Sequence, residues 1–279
     1  MKNISMFCLS LHPEHLNNLK KINYIPVGLG SNNFSSEWLR DNTKINISHK
    51  NKYYGEYSFH YWFWKNMIDD INEKEWIGFC AYRRYWSNSN NLTTQQLNKI
   101  INKNNFQEFV FKNIPEFWND YETILTEPIP FDKIKLSKVI KNGGIYSIIK
   151  NLSLFFGEST TIKYHFDVFH GVGNIEKAIN LLENKEKYEF TEFLNKNSFN
   201  RENMFICRSK KLIKEYYKSV FTWLSKCEEV FGFNLNSWNE VRIYAFLAER
   251  YLSYWFNRNS KVKEWPFFFF DTNKNKLNL

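Results

Sequence analysis

The chain has 279 residues, a formal net charge of +9 and 19% aromatic side chains. That length can bury a full core, and so many rings exclude a disordered chain, because such side chains fold or bind. The basic excess points to an anionic partner such as nucleic acid, nucleotide phosphate or a lipid surface, and charge alone does not choose among them.

Four cysteines (Cys8, Cys80, Cys207 and Cys227) lie far apart with no C-x-x-C spacing, which reads as free thiols in a reducing cytoplasm. The N-terminal MKNISMFCLSLHPEH has a short apolar run with only one basic residue before it and no small-residue cleavage site, which argues against a signal peptide, and no apolar run approaches the ~18 residues that span a bilayer. The expectation is a soluble or peripheral cytoplasmic protein.

In chain order, Ile4 to Leu11 reads as a first strand, and Ile22 to Leu29 as a second running into the turn-rich GLGSNN. Tyr54 to Asn72 predicts one long helix, because Tyr57, Tyr61, Trp64, Ile68 and Ile71 recur at spacings of 4, 3, 4 and 3. The buried strand WIGFC (Trp76 to Cys80) follows, and a helix feeding such a strand predicts a wound α/β sheet. A polar stretch with a helix from Thr93 leads to the strand Tyr121 to Phe131, stopped by prolines. Lys133 to Ser159 receives no assignment. Further on come a helix over Ile175 to Leu182, a strand over Asn203 to Arg208 and a helix over Lys210 to Glu229. The last helix has the clearest stripe, with Val241, Tyr244, Ala245, Ala248, Tyr251, Leu252 and Trp255 on one face. Pro266 to Phe270 (PFFFF) reads as a final buried strand, Lys274 to Leu279 as a frayed tail, and no internal repeat is found.

Ligands of α/β sheets sit outside the carboxyl ends of strands, so Tyr82, Arg83 and Arg84, at the end of WIGFCA, stand where a site is expected. Arginine presents a planar fork of donors that matches phosphate oxygens, and two together offset most of a diphosphate's charge. The bland alternative is a salt bridge to a carboxylate such as Glu56 or Asp120. There is no D-x-D metal motif; Asp120 and Glu122 precede a strand instead of ending one, and read as structural.

The same residues carry a family resemblance. ISHKNKYYGEYSFHYWFWKN, WIGFCAYRRYW, YETIL, His165-Phe166-Asp167, FNRENMFI and the later Arg242 and FLAER resemble, in order, the bacterial capsular-polysaccharide glycosyltransferases grouped as domain of unknown function 4422. The resemblance runs from about His12 to about Pro266. Tyr82, Arg83, Arg84 and Tyr85 match the family's His-Tyr-Arg-Arg-Tyr run, with Ala81 in place of the histidine.

The resemblance implies a GT-A-like, Rossmann-like mixed sheet flanked by helices with a helical C-terminal part. It implies a single domain, in which residues 1–130 form a donor-nucleotide half, 131–270 an acceptor half and 271–279 a tail. Arg83 and Arg84 are then expected to replace the divalent metal on the diphosphate, with no metal or other cofactor required. His12 is placed near the nucleotide base, and Asn51, Lys52 and Glu56 near ribose or phosphate at a helix start, where Ser48 or Asn51 could equally be a cap. Asn203 and Met204 fall beside the donor sugar.

For the base that takes the acceptor's proton, Asp167 is the first choice, with His165 as its partner if the segment is extended, and Glu240 and Glu249 as rivals. Arg242 and Glu249 are seven residues apart, hence about 20° apart on a helix, and can either face a cleft or form an ion pair. Arg250 lies farther round and is expected to face solvent unless a second layer covers it.

Expected partners are a nucleotide-sugar donor and a glycan or lipid-linked glycan acceptor at the cytoplasmic face of the inner membrane, with no nucleic acid. Two other readings remain. Basic residues interleaved with rings would suit a single-stranded nucleic-acid binder, although no recognition module is found. A non-catalytic scaffold of a polysaccharide assembly complex would explain Ala81.

Overall fold

The protein was analysed as a computed structural model, which describes residues 4–131, 161–237 and 240–271. The stretch 133–159 that carries no sequence assignment and the expected tail 274–279 lie outside the described residues.

The described residues form an α/β fold around one mixed sheet. The strands are β1 (Ile4–Ser10), β2 (Ile25–Gly28), β3 (Leu39–Arg40), β4 (Trp76–Ala81), β5 (Arg84–Trp86), β6 (Thr123–Thr126), β7 (Phe205–Cys207), β8 (Val262–Trp265) and β9 (Phe267–Phe269). Their order is β3-β2-β1-β4-β7-β6-β8, while β5 continues from the end of β4 and pairs with β9. β1, β2, β3 and β4 are mutually parallel, and β7 runs antiparallel between β4 and β6.

β1 and β4 are apolar on both faces, as buried parallel strands must be. Phe7, Leu9, Ile77 and Phe79 point into one core, and Met6, Cys8, Trp76 and Cys80 into the other, which is the two-residue alternation of a pleated strand. The first core is covered by α2 (Asn51–Tyr54), α3 (Tyr57–Asn66) and two long C-terminal helices, numbered below. The second is covered by α1 (Leu16–Lys21), α4 (Thr94–Ile100) and α5 (Phe106–Phe109), around an aromatic lattice in which Trp118 packs on both Trp76 and Trp265. All four cysteines are buried free thiols.

Several boundaries depart from the sequence expectation for local reasons. The helix expected over 54–72 is broken at Gly55, whose φ of 54° ends α2, and α3 then runs only to Asn66. Asn51 Nδ2 donates to the Gly55 carbonyl at 2.9 Å and holds that break. The second strand starts late because α1 ends in a turn at Asn23, which has φ 58°. The strand expected over 121–131 is four residues long and ends before Pro128 and Pro130.

The segment around His165 and Asp167 is a helix, α6 (Ile162–His170), begun by Thr161, whose hydroxyl accepts from the Tyr164 amide at 3.1 Å. Two residues apart on a helix point about 200° apart, so the shared direction expected of an extended segment is lost. α7 (Asn174–Ile179) and α8 (Asn184–Leu194) follow. α9 (Lys210–Phe231) is capped by Ser209 and ended by Gly232, and α10 (Ile243–Asn259) packs along it. The final apolar run is divided by Pro266 into β8 and β9. Among the described residues no helix is long and apolar enough to cross a membrane.

Candidate active site at the carboxyl ends of the central strands

From β1 the chain crosses to β2 on one side, and from β3 it returns to β4 on the other, so the connections part at the carboxyl ends of β1 and β4. Such a parting leaves a crevice that no crossover covers. A cavity of about 250 Å³ lies there, lined among others by Ser10, Leu11, Glu56, Tyr82, Arg83 and Arg242. Asn51 and Lys52, from the first turn of α2, complete one side, and Arg242, next to the start of α10, closes the floor.

The wall beyond β1 is aromatic. His12, His15 and Tyr82 form a trio with ring centroids 4.9–5.2 Å apart, and His15 lies nearly flat on Tyr82. Ser10 fixes the geometry: its Oγ accepts from the His12 amide at 2.9 Å and lies 3.0 Å from His15 Nδ1. His15 is buried, so the edges that this cluster leaves for a ligand belong to His12 and Tyr82.

The opposite wall is charged. Tyr82 and Arg83 form the two-residue turn between β4 and β5, in which Ala81 pairs with Arg84. The Arg83 guanidinium lies over the Tyr82 ring at 4.9 Å, is 3.9 Å from Asp271 and is 41% exposed toward the cleft. Arg84, one residue on, begins β5, stacks on Phe269 and is ion-paired with Glu202, so it does not line the cavity. The structure thus separates the two arginines that the sequence expectation treats as equals: Arg83 lines the cavity with only a loose ion pair to Asp271, and Arg84 lies outside it in close contact with Glu202.

Arg242 Nη2 donates to Glu56 Oε2 at 2.8 Å. Gly55 makes room for it, since a Cβ there would collide with the guanidinium. Below Arg84, the Glu202 amide donates to Glu249 Oε1 at 2.8 Å, and Glu249 Oε2 accepts from Arg250 Nη1 at 2.6 Å. Arg250 does not face solvent. It is 2% exposed, lies over Phe166 and Phe199, and approaches His165 Nδ1 and His170 Nε2 at 3.5 and 3.4 Å. The second layer that covers it is α6. Burial pushes the Glu202 carboxyl up to about 7 against the pull of Arg84, with Glu249 and Glu56 adding repulsion.

The expected site residues therefore fall into two groups. His12, Asn51, Glu56, Tyr82, Arg83 and Arg242 surround or adjoin the cavity, and Arg84 and Glu249 lie one layer beneath. Asp167 is 6% exposed and engaged elsewhere, accepting from Lys163 Nζ at 2.9 Å and from the Gly173 amide at 3.1 Å, a clamp between α6 and α7. Burial raises its carboxyl, against the Lys163 hydrogen bond. His165 stacks on Phe131 and Phe169. Met204 is core, while Asn203 carries a buried Oδ1 with no partner among the described residues. Glu240 bonds Ser237.

Asp120 and Glu122 precede β6 at the far end of the sheet, level with Trp76. Among the described residues no three His, Cys, Asp or Glu side chains gather as a metal site would require. Glu202 is the residue that sequence reasoning passes over. It lies inside FNRENMFI, and its one local signal is a carboxylate three residues before the apolar strand β7.

The sequence matches the family described as Domain of unknown function (DUF4422) over residues 8–260. A search of curated proteins finds no match. Among solved structures the chain is similar to the apo structure of the WbbM bifunctional glycosyltransferase, with a TM-score of 0.60 and 17% sequence identity. That likeness covers 96% of this chain and 45% of the other, so the chain spans about half the length of the protein it matches. At that identity what is shared is the fold, a mixed α/β sheet flanked by helices. With the family match extending over most of its length, the chain belongs to the DUF4422 family.

Proposed function

We propose that the protein is a glycosyltransferase that moves a hexose from a nucleoside-diphosphate sugar to a growing bacterial surface polysaccharide such as capsule or O-antigen. The observation that carries this reading is the convergence of Lys52, Arg83 and Arg242 on one cleft at the parting of β1 and β4, in a fold shared with a glycosyltransferase. The half-buried rings of His12 and Tyr82, backed by the buried His15, supply aromatic contacts for the base or ribose, and Asn51 stands at the start of α2. UDP-linked hexoses, galactofuranose among them, are the donors that the family resemblance brings forward.

As the bond to the sugar breaks, negative charge builds on the departing diphosphate, and fixed guanidinium groups are the cations supplied for it. Arg83 is the first of these, Arg242 the second, and the transfer then proceeds without a divalent ion. The acceptor is a lipid-linked glycan met at the cytoplasmic face of the inner membrane, where net positive charge favours association with anionic lipid.

A thermal-shift panel of nucleoside diphosphates and nucleotide sugars, with and without EDTA, tests the reading. A nucleotide at a hundred times its Kd adds about 2.7 kcal/mol to the folded state. The expected result is stabilisation by one base, unaltered by EDTA, and weakened about 10- to 100-fold in Arg83→Ala, as loss of a hydrogen bond to a charged group requires. No stabilisation by any nucleotide would remove the reading; activity lost in EDTA and restored by manganese would remove the role given to arginine.

A further inference from the structure

We propose that Glu202 is the general base of the transfer, with Arg84 as the positioning residue that holds its carboxylate. This rests on the glycosyltransferase reading above and adds to it a residue and a stereochemical outcome.

Position comes first. β7 runs antiparallel beside β4, so the loop that precedes β7 lies at the same end of the sheet as the cleft. From that loop Glu202 reaches the start of β5 and pairs with Arg84, the immediate neighbour of the cleft-lining Arg83. Its side chain is 25% exposed.

The backbone is the second observation. Glu202 and Asn203 have φ of 82° and 52°, two successive non-glycine residues in the left-handed region. Strain of this kind persists only where the surroundings over-determine it, and it gathers at functional sites. Here the determinant is visible: Glu249 accepts the Glu202 amide, and the buried Arg250 holds Glu249. The loop is thus fixed through its backbone, which leaves the carboxylate to Arg84.

Three other candidate carboxylates are committed, and a fourth, Asp271, lies 3.9 Å from Arg83. Asp167 is clamped between Lys163 and the Gly173 amide, Glu56 is held by Arg242, and the two oxygens of Glu249 serve the Glu202 amide and Arg250. The groups facing Glu202 are Arg84 from β5, Arg201 from its own loop, Glu249 from α10 and Glu56 from the turn before α3. With burial they leave its carboxyl near 7, matched to proton transfer at neutral pH.

The step balances as follows. The acceptor hydroxyl oxygen forms a bond to the anomeric carbon with its lone pair. The bond from that carbon to the diphosphate oxygen breaks, and its electron pair leaves with the nucleoside diphosphate, whose charge Arg83 and Arg242 offset. The hydroxyl proton passes to the Glu202 carboxylate. A single displacement of this kind inverts the anomeric centre.

The test uses the full chain with the nucleotide sugar and acceptor that support wild-type turnover. Glu202→Gln keeps the shape and a partner for Arg84; it is expected to lower kcat about 10²- to 10⁴-fold, the usual contribution of a general base. Donor Kd should stay within about threefold, and the acidic limb of the kcat profile near pH 7 should vanish. Glu202→Gly, which accepts the positive φ without strain, is expected to fold and to be equally slow. Asp167→Asn, away from the cleft, should leave kcat within about threefold of wild type. NMR of the product should show inverted anomeric configuration.

A Glu202→Gln enzyme within about tenfold of wild-type kcat, a retained configuration, or loss of chemistry in folded Asp167→Asn would each overturn the proposal. A wild-type chain that transfers from no nucleotide sugar would instead overturn the parent reading.

Discussion

Replacing Glu202 by glutamine should change how stability depends on pH, independently of any catalysis. Burial holds the folded carboxyl at about 7 against an ordinary 4.5, so between those values the native state binds more protons than the unfolded chain. Stability then falls as pH rises: the contribution is fully present below about 4.5 and is lost as pH passes the folded value. Each tenfold in proton affinity is worth about 1.4 kcal/mol, which sets a ceiling of about 3 kcal/mol for this carboxyl. Because the side chain is 25% exposed and solvent screens part of the effect, the expected loss is about 1–3 kcal/mol. Glutamine carries no such charge. Urea unfolding followed by tryptophan fluorescence at about pH 5 and about pH 8 should therefore show wild type losing about 1–3 kcal/mol more than Glu202→Gln over that interval. If the two proteins run parallel, Glu202 is an ordinary ionised partner of Arg84, and the reasoning from its burial fails.

Two further outcomes follow from the layer beneath the cleft. Gly55→Ala forces a side chain onto a φ of 54° and displaces Arg242 from Glu56; it should cost about 1–3 kcal/mol in chemical denaturation and weaken nucleotide binding to the same degree as Arg242→Ala, with the double variant no worse than either single one for binding. Arg250→Met removes a buried guanidinium from Glu249, His165 and His170, and should destabilise the protein by about 3–5 kcal/mol, part of which Glu249→Gln recovers in the double variant.

What the sequence made legible is what depends on near neighbours. β1 and β4 announce themselves as unbroken apolar runs, and α10 by its stripe, because burial on a sheet or along a helix imposes a period that a short window records. Arg83 was likewise legible, since the end of a buried parallel strand is where this architecture exposes side chains. The break at Gly55 was not, because Arg242, the side chain that needs the space, is 186 positions from Glu56 in the chain. The helix over 162–170 was missed although Thr161 caps it: the short segment mixes aromatic and charged residues, and its period competes with a strand reading. Glu202 escaped notice because its meaning lies in Arg84 and Glu249, contacts that no local pattern encodes.

The turn bearing Tyr82 and Arg83 is held on its outer side by β9: Arg84 pairs with Phe269, and the Phe270 amide donates to the Arg83 carbonyl at 3.0 Å. On a ribosome, the arginine hairpin emerges early and must wait until Phe267–Phe269 has been made before its supporting strand exists. Until then the nascent pocket is unfinished, and fragments lacking β9 would carry the motif without the shape that gives it a purpose.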